Sequence, residues 1–144
     1  DDLVGMFLGQ QVPACGISLG LERILVVMGE RRMFPAAVER PPAAVLVANF
    51  DRDAQADTLA LAAELRRGAL GEALAVEVYP DTEKLGRQFK YAADRGIPFV
   101  AVAGAQERAL GQVTMKTLAD GSQIAVARER AAEHIVTNMR RSRG

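Results

Sequence analysis

The chain of 144 residues has one cysteine, no tryptophan, only seven other aromatic residues and a formal net charge of zero. Each shortage excludes something. A lone thiol, Cys15, cannot form an intrachain disulfide, and that usage fits a reducing compartment. Lys plus Arg and Asp plus Glu balance at 18 each, which argues against a protein that holds nucleic acid or anionic lipid through bulk charge. A small basic or aromatic face for unstacked RNA is still compatible with that balance. No uncharged apolar run approaches the roughly 18 residues of a membrane span. The run Ile24 to Met28 is short and is flanked by Glu22, Arg23, Glu30 and Arg31. The single histidine, His134, has no cysteine or histidine close in sequence, so no metal site is expected. No glycine-rich phosphate loop of the Walker or dinucleotide type occurs. The sequence opens on Asp1-Asp2 with no signal peptide, and the expectation is a cytoplasmic piece of a longer protein.

What is present is the balance of a globular protein, 49% apolar and 25% charged, with enough chain for one real core. Residues 31–42, RRMFPAAVERPP, hold three of the six prolines and read as a linker, because Pro41-Pro42 favours an extended chain. The expected organisation is therefore a short piece over 1–30, a linker over 31–42 and a domain over 43–144.

The domain alternates. Val45-Leu46-Val47-Ala48 reads as a buried parallel strand. Leu59, Ala62, Leu65 and Ala69 recur at helical spacing, with Gly68 and Gly71 placed to stop that helix. Residues 75–79 read as a second strand. Asp81 or Thr82 can cap a helix running to Gly96, and residues 98–103 read as a third strand. Asp120-Gly121 between QVTMKTL and QIAVA is a hairpin signal. Residues 129–141 finish as a helix with Ala131, Ile135 and Met139 on one face. Right-handed crossovers then predict an α/β fold: a five-stranded mixed sheet, mostly parallel with an antiparallel hairpin, flanked by helices.

The helix TEKLGRQFKYAADRG, 82–96, carries the clearest candidate surface. At about 100° per residue, Leu85, Phe89, Ala92 and Ala93 gather on one side and Lys84, Gln88, Tyr91 and Arg95 on another, with Arg87 nearby. The second side suits RNA: cations for phosphates, an amide for a base edge, a ring for an unstacked base. Gly86 costs about 1 kcal/mol in a helix, which a close backbone approach by sheet or ligand would explain.

The stretch DLVGMF followed by VPACGISLGLERILVV resembles the end of the catalytic domain of the histidyl-tRNA synthetase family, and GISLGLER resembles motif 3 of the class II synthetases, a strand and helix with small residues before an arginine. PDTEKLGRQFKYAADRGIPFVAVAGAQE and GQVTMKTLADG resemble the anticodon-binding domain of the same family. The resemblance covers almost the whole chain. It implies that 1–30 is a strand–helix remnant of a catalytic domain, in which Arg23 contacts the ATP phosphates and Gly20 lets backbone and adenine approach. A planar, permanently charged guanidinium suits a polyphosphate under nucleophilic attack. Motifs 1 and 2 and the histidine-binding loops are absent, so adenylate formation by this chain alone is not expected. ATP, magnesium, L-histidine and a homodimer partner are implied for the intact enzyme. The resemblance also implies that 43–144 grips the anticodon loop of histidine tRNA, with candidate contacts at Lys84 and Gln88 on the helix, Gln106 and Glu107 in the loop after the third strand, and Lys116 on the hairpin.

Other readings carry different residues. Asp51 and Asp53 after the first strand resemble the acidic pair of receiver domains, but Ala103-Gly104 stands where a receiver would want an aspartate, and helix-capping carboxylates explain the pair better. A noncatalytic synthetase-like regulatory or dimerisation module, or a plain small α/β ligand-binding domain, would use the same fold without anticodon preference.

Overall fold

The computed structural model describes residues 6–7, 9–10, 15–35, 38 and 41–143, with side chains described as far as residue 141. The chain divides into two units, Asp1–Arg40 and Pro41–Gly144. In the first, α1 (Leu21–Glu30) starts at Gly20 without a side-chain cap, and none of its residues is buried. Residues 15–20 form no strand, contrary to the expected strand–helix remnant. A strand needs a neighbour for its backbone N–H and C=O groups, and the described residues of this unit contain no second strand.

The second unit is a five-stranded sheet in the order β2-β1-β3-β4-β5. Its strands are β1 (Val45–Val47), β2 (Val76–Val78), β3 (Phe99–Val102), β4 (Gln112–Thr117) and β5 (Gln123–Ala127). β1 pairs parallel with both β2 and β3, and β3-β4-β5 run antiparallel. The helices are α2 (Gln55–Arg66), α3 (Leu85–Asp94), the short α4 (Ala105–Ala109) and α5 (Ala131–Arg143). β1 is buried on both faces, as its uninterrupted apolar run requires.

The two crossovers leave β1's neighbourhood in opposite directions, one to β2 and one from β2 back across to β3. With right-handed connections they must lie on opposite faces. One face accordingly packs Val45, Val47, Ala101, Val113 and Met115 against Leu61, Leu65, Ile135 and Val136 of α2 and α5. The other packs Leu46, Ala48 and Val100 against Ala92 and Ile97, with Phe50, Leu85 and Phe89 alongside. Two helices cover the first face and α3 alone covers the second, so part of β4 and nearly all of β5 face outward.

Two details of phase differ from expectation. α2 buries Leu61, Ala62 and Leu65, while Leu59 is 59% exposed; a stretch as rich in alanine and leucine as LALAAEL offers more than one apolar stripe. α3 starts at Leu85, three residues after the expected start, and neither Asp81 nor Thr82 caps it. Glu83 instead accepts from the Lys84 N–H at 3.0 Å.

Candidate nucleic-acid interface

The chain leaves β1 at Asn49, and the backbone there is held by one side chain. Gln88 of α3 is fully buried. Its Oε1 accepts from Asn49 N at 2.9 Å, and its Nε2 donates to Asn49 O at 2.8 Å and Glu83 O at 2.6 Å. The amide therefore acts as a piece of backbone, joining the β1 exit to the turn before α3. A buried polar group survives only when satisfied in this way.

That clamp corrects the expected role of Gln88: an amide at zero exposure with both ends engaged does not read a base. The sequence contained the signal. Position 88 lies three after Leu85 and four before Ala92, in the middle of the apolar stripe. Tyr91, expected on the same open side, is also engaged. Its hydroxyl donates to Glu77, its ring meets Tyr79 edge-on at 5.2 Å, and the Arg95 guanidinium lies 5.2 Å from its centroid. The hydrogen bond to Glu77 and burial raise the Tyr91 pKa. Gly86 has nothing within 4 Å of where a Cβ would stand, so no approach by the sheet accounts for it.

Of the other candidates, Lys84 and Glu107 lie near the carboxyl ends of β1 and β3, and Lys116 stands farther down the sheet, opposite Val100. Lys84 is exposed at the N-cap of α3. With Phe50, Thr82, Glu83 and Leu85 it lines a hollow of about 450 Å³. Phe50 reaches from that hollow to Gly104, where its Cζ lies 3.6 Å from the position a Cβ would take. Gly104 N donates to Glu107 Oε2 at 3.1 Å, and Thr114 Oγ1 donates to Glu107 Oε1 at 3.0 Å. Thr114 is two residues before Lys116 on β4, hence on the same sheet face. Lys116 Nζ stands 4.2 Å from the centroid of the Phe89 ring, and Phe89 is one helical turn after Leu85 on α3. Lys84 at the hollow and Glu107 next to Gly104 are thus linked through Phe50 at one mouth, with exposed Gln106 beside Glu107 on α4, while Lys116 lies on the same sheet face, over Phe89. Gln106 and Glu107 lie on this short helix rather than in an irregular loop. Phe50 and Thr82 line the hollow with Lys84, and sequence periodicity gave no reason to single them out.

The carboxylates here stay ionised. The Glu107 pKa is lowered first by its own backbone N–H, then by Thr114 and Gly104 and the nearby Arg108, against some desolvation. Asp51 is lowered first by the hydrogen bond from Arg108, whose Nη2 lies 2.9 Å from its Oδ2. Asp51 also accepts from Asp53 N at 3.1 Å, the capping arrangement expected of that pair. Glu83 is lowered first by the Lys84 backbone N–H and further by Arg87, which it meets at 2.6 Å. The mouth can therefore offer fixed negative acceptors and cations at the same time, the pattern needed for base edges next to phosphates.

In the first unit, Gly20 and Arg23 lie at the start of α1. A Cβ on Gly20 would come 3.4 Å from Arg23 Cδ, so the arginine stem folds over the uncapped helix N-terminus.

Known proteins resemble this chain over most of its length. A family model described as "Anticodon binding domain" matches residues 43–138. A histidine–tRNA ligase of Ruegeria pomeroyi is 44% identical over 126 residues, which is 87% of this chain and 24% of that protein. One from Rhodopirellula baltica is 40% identical over 119 residues, 83% and 26% respectively. The chain thus spans about a quarter of the length of the curated relatives it matches. The crystal structure of histidyl-tRNA synthetase from Nostoc sp. PCC 7120 superposes with a TM-score of 0.67 at 31% identity, covering 96% of this chain and 32% of the other. No helix among the described residues is long and apolar enough to cross a membrane. With its five-stranded mixed sheet and helices, the chain belongs to the anticodon-binding domain family of the class II synthetase type found in histidyl-tRNA synthetases.

Proposed function

We propose that the chain is part of a histidine–tRNA ligase, which joins histidine to its tRNA using ATP, and that residues 43–144 hold the anticodon loop of histidine tRNA. The observation that carries this reading is the gathering, on one face of the sheet, of Lys84 and Glu107 around Phe50 and of Lys116 over Phe89. Lys84 and Lys116 hold phosphate or base oxygens, Glu107 accepts from the amino group of a guanine, and Gln106 contacts a base edge. Phe50 and Phe89 give the mouth an apolar wall. Gln88 positions this machinery from the core by tying Asn49 to Glu83.

Residues 1–30 are read as one wall of the ATP site of the whole ligase. Gly20 at an uncapped helix N-terminus with Arg23 folded over it fits one end of a polyphosphate. When bound, ATP supplies the activated phosphate that histidine attacks; Arg23 holds negative charge there and Gly20 leaves room for it. Magnesium is attributed to the whole ligase. Homodimerisation and a cytoplasmic setting are likewise attributed to the whole protein, and pyrophosphate exchange by this chain alone is not expected.

Filter binding to a panel of tRNAs tests the reading. Preference for histidine tRNA, weakened when its anticodon is changed, is the expected result. RNA binding without that preference would favour a regulatory synthetase-like module, and no RNA binding would leave a ligand-binding domain; either overturns the proposal.

A further inference from the structure

β5 ends the sheet, and its backbone alternates in direction. Arg128 N donates to Gly111 O and Thr117 N to Ser122 O, each at 2.9 Å, with an unbroken register between them. Ser122, Ile124, Val126 and Arg128 therefore aim their backbone groups at β4, and Gln123, Ala125 and Ala127 aim theirs away from it. Ala127 O turns into the short helical turn Arg128–Arg130. The backbone groups of Gln123 and Ala125 and the N–H of Ala127 meet no partner among the described residues. The edge is also unguarded. At the opposite edge, Arg66 Nη2 donates to Val76 O at 3.0 Å. Gln123–Ala127 has no charge, no proline and no bulge, the devices that keep an edge strand from pairing with another chain.

The register selects the occupant. Antiparallel pairing of β5 with its own copy puts Ala125 opposite Ala125 on a two-fold axis normal to the sheet, and Gln123 O opposite the Ala127 N–H, so that outward groups meet outward groups on both chains. On the α5 face it sets Ile124 against Val126 of the second copy. Ile124 is 51% exposed although its neighbour on β4, Met115, is fully buried, and such a pair covers it. The same axis lays the two α5 helices antiparallel on one face. The side of α5 toward the β5 edge bears Glu133, Thr137 and Arg141, which with Val126 and Ala127 line a hollow of about 620 Å³. These helical residues are spaced by four and form one stripe, with the acid and the base placed symmetrically about Thr137. Turned about Thr137, the stripe matches itself, Glu133 to Arg141 and Arg141 to Glu133. Both are exposed, and neither has an ion-pair partner among the described residues. We propose that β5 and α5 form an isologous interface with a second copy of this chain, joining two five-stranded sheets edge to edge. The RNA candidates Lys84, Glu107 and Lys116 lie on the opposite face, so the inference is independent of the function proposed above.

Sedimentation equilibrium of the whole chain tests it. The mass should rise from 15.4 kDa toward twice that value with concentration. Ala125→Pro removes one outward N–H and no bond to β4, and should weaken association at least about tenfold. Glu133→Arg sets like charges opposite each other and should weaken it severalfold, and Glu133→Arg together with Arg141→Glu should restore it. Far-UV circular dichroism verifies that each variant is folded, and the restored pair excludes a folding defect as the cause. In a Cys15→Ser background, Ala125→Cys should form a disulfide-linked dimer, because facing residues of a hydrogen-bonded pair lie about 5.5 Å apart. Gln123→Cys should not, because its two copies would lie about 13 Å apart. A chain that stays at 15.4 kDa throughout, a dimer indifferent to these substitutions, or equal cross-linking at both positions would refute the interface. Each of these outcomes leaves tRNA binding, and hence the proposed function, untouched.

Discussion

Replacing Gln88 by leucine should unfold the domain more readily than any surface change, although leucine is close in size and the helix around it is exposed on its other side. The loss is not of volume but of three hydrogen bonds, at 2.9, 2.8 and 2.6 Å. Their backbone partners, Asn49 N, Asn49 O and Glu83 O, would be left next to an apolar side chain at a position with zero exposure. At about 1–3 kcal/mol per stranded buried group, and with some relief from solvent at Glu83, the cost is about 3–5 kcal/mol. That is a large share of the ~5–15 kcal/mol typical of a domain, and at about 4–8 °C per kcal/mol it lowers Tm by at least roughly 12 °C. Gln88→Glu separates hydrogen bonding from size. Ionised, it still accepts from Asn49 N but faces two carbonyls it cannot satisfy. Its folded-state pKa is then raised, so the glutamate variant gains stability relative to wild type as pH falls through that raised value, whereas the leucine variant does not. Urea unfolding followed by far-UV circular dichroism and by the near-ultraviolet signal of Tyr79 and Tyr91 measures both. A leucine variant within about 1 kcal/mol of wild type would refute the claim that this amide holds the β1 exit, since one ordinary hydrogen bond is worth that much.

Other expectations are simpler to test. Lys116→Ala should weaken tRNA binding about tenfold and reduce the slope of log affinity against log salt by about one, while costing less than about 1 kcal/mol of stability from the lost contact with Phe89. Arg128 lies under a fork of acids, with Nε 2.7 Å from Glu64 Oε2 and Nη1 2.6 Å from Asp57 Oδ1, and this raises its pKa through Glu64 first and then Asp57. Arg128→Ala should lower stability by about 2 kcal/mol in urea titrations. Arg128→Lys should recover less than half, because one ammonium cannot span both carboxylates. Glu107 has a lowered folded-state pKa, so its stabilisation is complete above the ordinary glutamate value of about 4.3 and is lost as pH falls below that through the folded value. Urea midpoints across that acid range should decline in the wild type and decline less steeply in Glu107→Gln.

Much of the architecture was legible because its determinants are local. Val45-Leu46-Val47 announces a buried strand, and Asp120-Gly121 announces the hairpin that joins β4 to β5. The alternation of strands and helices leaves little choice of sheet topology. The site was legible in part. Lys84, Glu107 and Lys116 are residue types that suit RNA, and the fold gathers them. Gln88 and Tyr91 were misplaced because a helical wheel sorts side chains by polarity, whereas burial depends on whether a polar group finds partners. Those partners are Asn49 and Glu83 for the amide and Glu77 for the hydroxyl. α1 shows the reverse case. Its helical pattern holds, while the strand expected before it finds no strand to pair with among the described residues of its unit.

The sequence by itself determined the order of elements, the hand of the crossovers and the kind of residue offered to a partner, because periodicity, turn chemistry and charge act over a few residues. Only the tertiary structure decided that an amide 39 residues from Asn49 would close its backbone, that α3, α4 and β4 would bring Lys84, Glu107 and Lys116 to one face of the sheet, and that Asn49 Oδ1 would be buried without a hydrogen-bond partner. Satisfaction of a buried polar group is settled by whatever the whole fold brings within about 3 Å, and no window of sequence contains that information.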